Sequence, residues 1–264
     1  MNFGLVIVGD EILSGKRQDK HLPKVIELLA GRGLGLSWAR YVGDERERIT
    51  ALLRDVFAGG DAAFCCGGIG ATPDDHTRQA AAAALGVPLE LHPRAKELIL
   101  ERMRDAARER NLPFEPQRPD NVHRLNMGVF PRGAQIIPNP YNKIPGFSVG
   151  DVHFVPGFPV MAHPMIEWLL DTRYAGLHGA HRRVERSVIV TGSMEATLTP
   201  LMEAIEADFP GVKVFSLPSV DHPQYGRHIE LGVKGDTQAT LAAFAALKTG
   251  AAALGATLGA ELVR

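Results

Sequence analysis

The first sixty-six residues alternate between unbroken apolar runs and segments whose apolar positions recur every three to four residues. Residues 2–9 (NFGLVIVG) are a continuous apolar run closed by glycine, the pattern of a strand buried on both faces. Residues 22–31 (LPKVIELLAG) carry helical periodicity, with Pro23 suited to a first turn and Gly31 to the end. A strand follows in LSWARYVG (36–43). A helix then spans 44–60, where Asp44 and Glu47 have the spacing of a capping-box variant and Ile49, Leu52, Leu53, Val56 and Phe57 share one face. DAAFCC (61–66) reads as a third strand and Pro73–Leu85 as a third helix stopped by Gly86. This β-α-β-α-β-α order predicts a largely parallel sheet with right-handed crossovers and helices on both faces.

Further on, residues 93–111 predict a long polar helix, and 112–150, rich in Pro, Asn and Gly, predict loops with short strands. DVHFVPG (151–157) reads as a strand and 159–174 as a helix, with Pro164 near its first turns. AGLHGAHRR (175–183) has the composition of a linker. The remainder is read as β-α-β-β-α: strands in 184–192, 212–220 and 227–235, a helix near 194–208 and a second from Thr237. Two domains are therefore expected, over 1–175 and 180–264, the second a small α+β module.

Composition narrows the function. The chain has 264 residues, 45% hydrophobic and 22% charged, and a formal net charge of -1, which argues against the clustered cationic surface that nucleic acid needs. The Gly-x-x-Gly of residues 176–179 lies in the linker without basic residues inside it, so RNA binding is not expected. The two cysteines, Cys65 and Cys66, are adjacent, point to opposite faces of a strand and read as buried thiols of a reducing cytoplasm. The N-terminus has no basic region and too short an apolar run for a leader or a membrane span.

Ligands of open parallel sheets sit beyond the carboxyl ends of the strands, and two such ends carry candidate chemistry. The first is GDEILSGKRQDKH (9–21). Five residues rather than four separate Gly9 from Gly15-Lys16, and Arg17 stands where Ser or Thr would meet magnesium, so this is not a Walker A loop. Gly9, Ser14 and Gly15 can offer backbone N–H groups, Asp10, Glu11 and Asp19 are oxygen ligands, and Lys16 and Arg17 suit phosphate; the alternative is a solvated loop in which Asp19 caps a helix. The second is CCGGIGATPDDHT (65–77). Gly67, Gly68 and Gly70 let backbone approach a ligand closely. Thr72 fits an N-cap, placing Pro73, Asp74 and Asp75 in the first helical turn. That helix end attracts an anion, and two carboxylates beside it make sense either as partners of the helix dipole or with a bridging cation and a catalytic base.

GDEILSG followed by GGIGATPDDHT, NPYNKIPGF (139–147) and VPGFPVMAHPM (155–165), in that order, resembles the molybdopterin-binding MoaB/Mog domain, specifically the N-terminal part of the competence/damage-inducible CinA family. The likeness spans about residues 3–175, and the tail resembles the small KH-like module that follows in that family. It implies a three-layer α/β/α domain, often a homo-oligomer, that binds molybdopterin or a nucleotide diphosphate. The activity it implies is either hydrolysis of ADP-ribose-like pyrophosphates with Mg²⁺, Mn²⁺ or Co²⁺, adenylyl transfer to molybdopterin, or binding without turnover. It places Asp75 on the catalytic aspartate; a metal ion there would be held by Asp74 and Asp75 with Asp10 or Glu11, Asp74 serving as a ligand, a second catalytic carboxylate or only a partner of the helix dipole. Gly67, Gly68, Gly70 and Thr72 fall on the phosphate turn, Asp10, Glu11 and Ser14 on the first loop, and Pro156 and Gly157 near the substrate. Asn142 and Lys143 lie in a loop that reaches phosphate or ribose or is a plain turn. The family's amidase domain has no counterpart before Arg264, so nicotinamide-nucleotide deamidation is not expected.

Departures from the family pattern stand at Ala71 for proline, Asp19-Lys20-His21 for Asn-Thr-Asn, Asn142-Lys143-Ile144 for Gly-Thr-Ala, and Met161 for glutamate. They favour binding over turnover. Elsewhere, Asp151 and His153, two apart on a strand, read as an exposed face, and His163 as a surface histidine.

Overall fold

The computed structural model describes residues 1–179 and 183–263, which form two compact units, Met1–His178 and Gly179–Arg264. The first unit contains, in order, β1 (Phe3–Val8), α1 (Asp10–Leu13), α2 (His21–Ala30), β2 (Leu36–Val42), α3 (Arg46–Gly59), β3 (Ala62–Cys66) and α4 (Thr77–Leu85). There follow β4 (Leu89–Leu91), α5 (Pro93–Glu109), α6 (Pro119–Arg124), β5 (Val129–Pro131), β6 (Gln135–Ile137), β7 (Gly146–Val149), β8 (Val152–Val155) and α7 (Pro159–Thr172). The sheet order is β2-β1-β3-β8-β7-β6. The first four strands run parallel, β7 pairs antiparallel with β8 and β6 antiparallel with β7; β4 and β5 pair separately.

Strand alternation sorts the apolar side chains into two layers. Phe3, Leu5 and Ile7 of β1, with Phe64 and Cys66 of β3, pack against Val25, Leu28 and Leu29 of α2 and Met165, Ile166 and Leu169 of α7. Val6 and Val8, with Ala63, Cys65 and Phe154, pack against Ile49, Leu53 and Val56 of α3 and Ala80 and Ala81 of α4. The result is a three-layer α/β/α domain whose sheet is mostly parallel, as its sequence pattern predicts. Truncating a fully buried side chain such as Leu5 or Leu53 to alanine costs about 2–5 kcal/mol. Cys65 and Cys66 do face opposite layers, both free and buried; burial pushes the Cys65 thiol up to about 12, so neither is a reactive thiolate.

The second unit contains β9 (Arg183–Thr191), α8 (Glu195–Asp208), β10 (Lys213–His222), β11 (Gly226–Asp236), α9 (Thr237–Ala253) and β12 (Thr257–Val263). Its strands form one antiparallel sheet, β10-β11-β9-β12. Val188, Val190, Leu231 and Val233 pack on Leu198 of α8 and Leu247 of α9. The linker expected over 175–183 forms a 3-10 turn at Ala175–Leu177, and its residues 180–182 lie outside the described residues.

Two boundaries differ from the sequence reading in ways that matter for the site. α4 starts at Thr77 instead of Pro73, because residues 71–74 form turns. α3 starts at Arg46, and Asp44 does not cap it: its carboxylate accepts the Asp10 N–H at 3.0 Å instead.

Candidate functional site

β1, β3 and β8 end together, and a cavity of about 330 Å³ opens at their carboxyl ends. Its apolar wall comes from Ile7 and Val8 at the end of β1, Cys66 at the end of β3, and Phe158. Its polar wall comes from Glu11 of α1, from Arg17 and Lys20 in the loop before α2, and from His21 at the start of α2.

The glycine turn beside this cavity is built for close approach. Gly67 has φ +108°, and a Cβ there would collide with the Val8 carbonyl oxygen. Gly68, at φ +67°, lies against the Thr77 hydroxyl, and Thr77 donates its N–H to the Gly68 carbonyl at 2.9 Å. A Cβ on Gly157 would sit 3.4 Å from the Gly67 Cα, so the β3 and β8 ends meet backbone to backbone.

The amides of the turn divide into used and free. Gly67 donates to the Val155 carbonyl at 3.0 Å. Gly70 donates to Asp75 Oδ1 at 2.9 Å and Thr72 to Asp75 Oδ2 at 2.8 Å, where the Thr72 hydroxyl also donates. Among the described residues, the amides of Gly68, Ile69 and Ala71 find no acceptor. Thr72 is therefore not an N-cap, and Asp75 is not a free first-turn carboxylate: it staples its own turn. Asp74 stays exposed, and Thr72 beside it holds its carboxyl below the usual aspartate range.

The first loop differs from expectation in a similar way. The N–H of Gly9 goes to the Val42 carbonyl, that of Ser14 to Asp10 and that of Gly15 to Ile12, at 3.0, 2.8 and 3.1 Å, so none is offered to a phosphate. Asp10 and Asp44 exchange side chain-to-backbone bonds, with Asp44 N–H donating to Asp10 Oδ1 at 3.2 Å. Partial burial raises the Asp44 carboxyl, and the charges of Asp10, Glu11 and Asp74 raise it further. Yet among the described residues no three His, Cys, Asp or Glu side chains converge to hold a metal ion. The expected ligand set of Asp10, Asp74 and Asp75 does not assemble, because the Asp75 oxygens are committed to the turn.

Asp19 caps α2, accepting the N–H groups of His21 at 2.7 Å and Leu22 at 3.1 Å, and it also accepts the Tyr41 hydroxyl at 2.8 Å. His21 is a site residue that the residue-type reading missed. The signal was present in the Asp19-Lys20-His21 departure. Its Nε2–H donates to the Gly157 carbonyl at 3.0 Å, which leaves Nδ1 buried without a partner. Burial holds the ring below the usual histidine range and therefore neutral. His163 is no plain surface residue: its ring meets that of His21 edge-on at 5.3 Å, and burial lowers its pKa too.

The loop 139–144 is a knitted turn. Asn139 bonds Asn142, Ile144 and Tyr141, and Asn142 Oδ1 accepts the Ile144 N–H at 3.0 Å. Lys143 is turned to α5, pairing with Glu101 at 2.5 Å and Asp105 at 2.7 Å, so it is not a ligand contact. Asn142 Nδ2 reaches Met161 Sδ at 3.5 Å, so the two departures touch each other. Of the residues expected at the site, Glu11, Arg17 and Gly157 line the strand-end cavity.

The first unit is thus an open α/β sheet with a glycine turn and, at its strand ends, a cavity that is apolar on one side and polar on the other. The model of a family described as a probable molybdopterin binding domain matches residues 4–175, and the chain belongs to that family, as a MoaB/Mog-like domain of the CinA type. A CinA-like protein of Anaeromyxobacter dehalogenans is 35% identical over 175 residues, 64% of this chain and 40% of that protein. A CinA-like protein of Geobacter metallireducens is 28% identical over 268 residues, 100% of this chain and 61% of its own. The chain thus spans about two fifths of the length of the first of these relatives. The crystal structure of CinA from Thermoplasma acidophilum shares the fold, with a TM-score of 0.54 and 24% identity over 65% of this chain and 98% of that one. No helix among the described residues is long and apolar enough to cross a membrane.

Proposed function

We propose that the first unit binds a small ligand that joins a flat heteroaromatic group to phosphate, a phosphorylated pterin or a nucleotide diphosphate, in the strand-end cavity. One observation carries this reading: the cavity at the carboxyl ends of β1, β3 and β8 is walled by Ile7, Val8 and Phe158 on one side and by Glu11, Arg17, Lys20 and His21 on the other. The ring system lies against Ile7, Val8 and Phe158. Arg17 and Lys20 meet the phosphate charge, and the unpartnered Nδ1 of His21 accepts a donor from the ring or a ribose hydroxyl.

Hydrolysis of an ADP-ribose-like pyrophosphate by a bound Mg²⁺, Mn²⁺ or Co²⁺ ion is the finer activity that the resemblance implies. The donor set does not fit such an ion, since Asp75 is bonded to Gly70 and Thr72 and Asp10 to Asp44. The geometry therefore favours binding.

Thermal unfolding and calorimetry with ADP-ribose, FAD, ATP and a molybdopterin precursor test the reading, because a ligand that binds only the native state raises its Tm. At least one of these ligands stabilises the protein, and Lys20→Gln with Arg17→Gln weakens its binding about tenfold, as loss of charge-assisted contacts should. Absence of binding across the panel, or affinity unchanged in the double variant, overturns it.

A further inference from the structure

Two helices of one layer each bring a histidine to a common point. His21 is the first residue of α2 and His163 the fifth of α7, and the helices pack through Val25 and Leu29 against Met165 and Ile166. The two rings meet edge-on, with centroids 5.3 Å apart. Asp19 fixes the start of α2 by accepting the N–H groups of His21 and Leu22. His21 also falls where the family pattern has asparagine, so the pair is a property of this chain.

Each ring has one nitrogen tied to backbone and one left over. His21 Nε2–H donates to the Gly157 carbonyl at 3.0 Å, and the His163 ring bonds the Lys20 backbone. His21 Nδ1 and His163 Nε2 are buried and, among the described residues, have no hydrogen-bond partner. Burial holds both rings below the usual histidine range, so at neutral pH each keeps a lone pair instead of a second proton. Two such lone pairs on adjoining rings are unfavourable, as any buried acceptor without a partner is.

The pattern suits a metal ion. A ligating imidazole is neutral and gives its other N–H to a carboxylate or a backbone carbonyl, which fixes its tautomer and orientation. With Zn–N bonds of about 2.0–2.1 Å and a tetrahedral angle, two coordinating rings have centroids roughly 5 Å apart. The observed spacing matches. Imidazole nitrogen suits Zn²⁺, Ni²⁺ and Cu²⁺, whereas Mg²⁺ takes oxygen. His21 lines the strand-end cavity, and among the described residues no third His, Cys, Asp or Glu joins the pair, so the remaining coordination positions fall to water or to a ligand in that cavity.

We propose that His21 Nδ1 and His163 Nε2 form a two-histidine site for a divalent transition-metal ion, Zn²⁺ in the first place, with its open positions toward the strand-end cavity. The ion, in place of the bare His21 nitrogen, is then what a ligand meets at this wall. The inference does not rest on the ligand proposed above, because protein nitrogens alone hold the ion.

Calorimetric titration of the full chain, first stripped with EDTA, with Zn²⁺, Ni²⁺, Cu²⁺ and Mg²⁺ tests it. The wild type binds one equivalent of Zn²⁺ and no Mg²⁺. His21→Gln and His163→Gln each bind Zn²⁺ at least about tenfold more weakly, since loss of an outer-shell partner alone costs that much. His222→Gln, which removes a histidine of the second unit, binds as the wild type does. The paramagnetic resonance of bound Cu²⁺ shows coupling to two nitrogens in the wild type and to one in His163→Gln. Thermal unfolding of the stripped proteins shows which variants are folded, and His163→Gln decides the matter if His21→Gln is not. Titration of ADP-ribose into the stripped protein separates the two proposals: nucleotide binding without Zn²⁺ binding removes only the metal site, and the reverse removes only the ligand. No binding of Zn²⁺, Ni²⁺ or Cu²⁺ by the wild type at submillimolar metal, or wild-type affinity in folded His21→Gln and His163→Gln, overturns the inference.

Discussion

The carboxylate of Asp75 accepts the N–H of Gly70 at 2.9 Å, closing a six-residue turn onto itself. The N–H of Thr72 reaches the other oxygen at 2.8 Å. An asparagine presents one carbonyl oxygen in place of two carboxylate oxygens, so Asp75→Asn leaves a donor unpaired. The expected loss is about 1–3 kcal/mol, a fall in Tm of several degrees for a domain of this size. The same variant loses ligand affinity, because the free amides of Gly68, Ile69 and Ala71 are placed by this turn. A variant with wild-type Tm but altered turnover of a pyrophosphate would instead make Asp75 a chemical group and its turn bonds incidental.

His153 carries a pH dependence of stability. It is fully buried, with Ser148 Oγ 2.7 Å from Nδ1 and Tyr174 Oη 2.6 Å from Nε2. Tyr174 donates its own proton to Asp151 at 3.0 Å, so His153 Nε2–H donates to Tyr174 and Ser148 donates to Nδ1. Burial lowers the ring to about 3 in the folded chain, against 6.5 for an exposed histidine. Below pH 6.5 the unfolded chain takes up a proton that the native chain does not. Stability therefore falls as pH drops from 6.5 toward 3, by up to about 1.4 kcal/mol per pH unit from this residue. His21 and His163, both lowered by burial, add slope of the same sign. Urea unfolding at pH 7.5, 6 and 5 measures it. His153→Gln is less stable at pH 7.5 and shows a shallower acid slope; a slope equal to wild type would remove His153 as its source.

The sheet was legible because apolar runs in parallel strands need no partner to be recognised: β1 and β3 come directly from NFGLVIVG and DAAFCC. The same rule explains the misreading of His153. A two-residue period implies one exposed face, but β8 lies between β3 and β7 with layers on both sides, so a polar residue there is buried and must be bonded internally. Thr72-Pro73-Asp74-Asp75 carries every local signal of a helix start, and α4 begins later because Asp75 bonds backward to Gly70. β12 was missed because its Ala- and Gly-rich approach prolongs the pattern of α9, and only Gly255 at φ +83° marks the break. Within the site, the glycines declare themselves by type. The used or free state of an amide, and a partner forty residues away, do not.

Lys143 illustrates that last point and gives a prediction that takes the plain-turn alternative of its sequence reading. Its ammonium lies between Asp105 and Glu101 of α5, which raise its pKa, and Lys143 in turn holds the Asp105 carboxyl below the usual range. Exposed pairs of this kind contribute little to stability. Lys143→Gln therefore binds nucleotide or pterin ligands within about twofold of wild type, the small effect expected of a surface charge outside the site. A tenfold loss in calorimetry, without a change in Tm, would return Lys143 to the ligand.

Gly67 sets the most demanding steric condition in the site. Its φ of +108° is a backbone conformation that L side chains rarely adopt, and a Cβ would strike the Val8 carbonyl at the end of β1. It is also the residue against which Gly157 packs, and its N–H bonds the Val155 carbonyl at 3.0 Å. Gly67→Ala must therefore either push β1 from β3 or rotate the turn, and both routes move the amides of Gly68 and Ile69. Strain of this kind costs about 1–3 kcal/mol. Gly60→Ala is the matching control: it also has positive φ, at +71°, but meets nothing within 4 Å and lies at the C-terminal end of α3, away from the cavity. Both variants lower Tm, whereas only Gly67→Ala abolishes ligand-induced stabilisation. Equal ligand shifts in the two would show that the glycine turn does not contact the ligand.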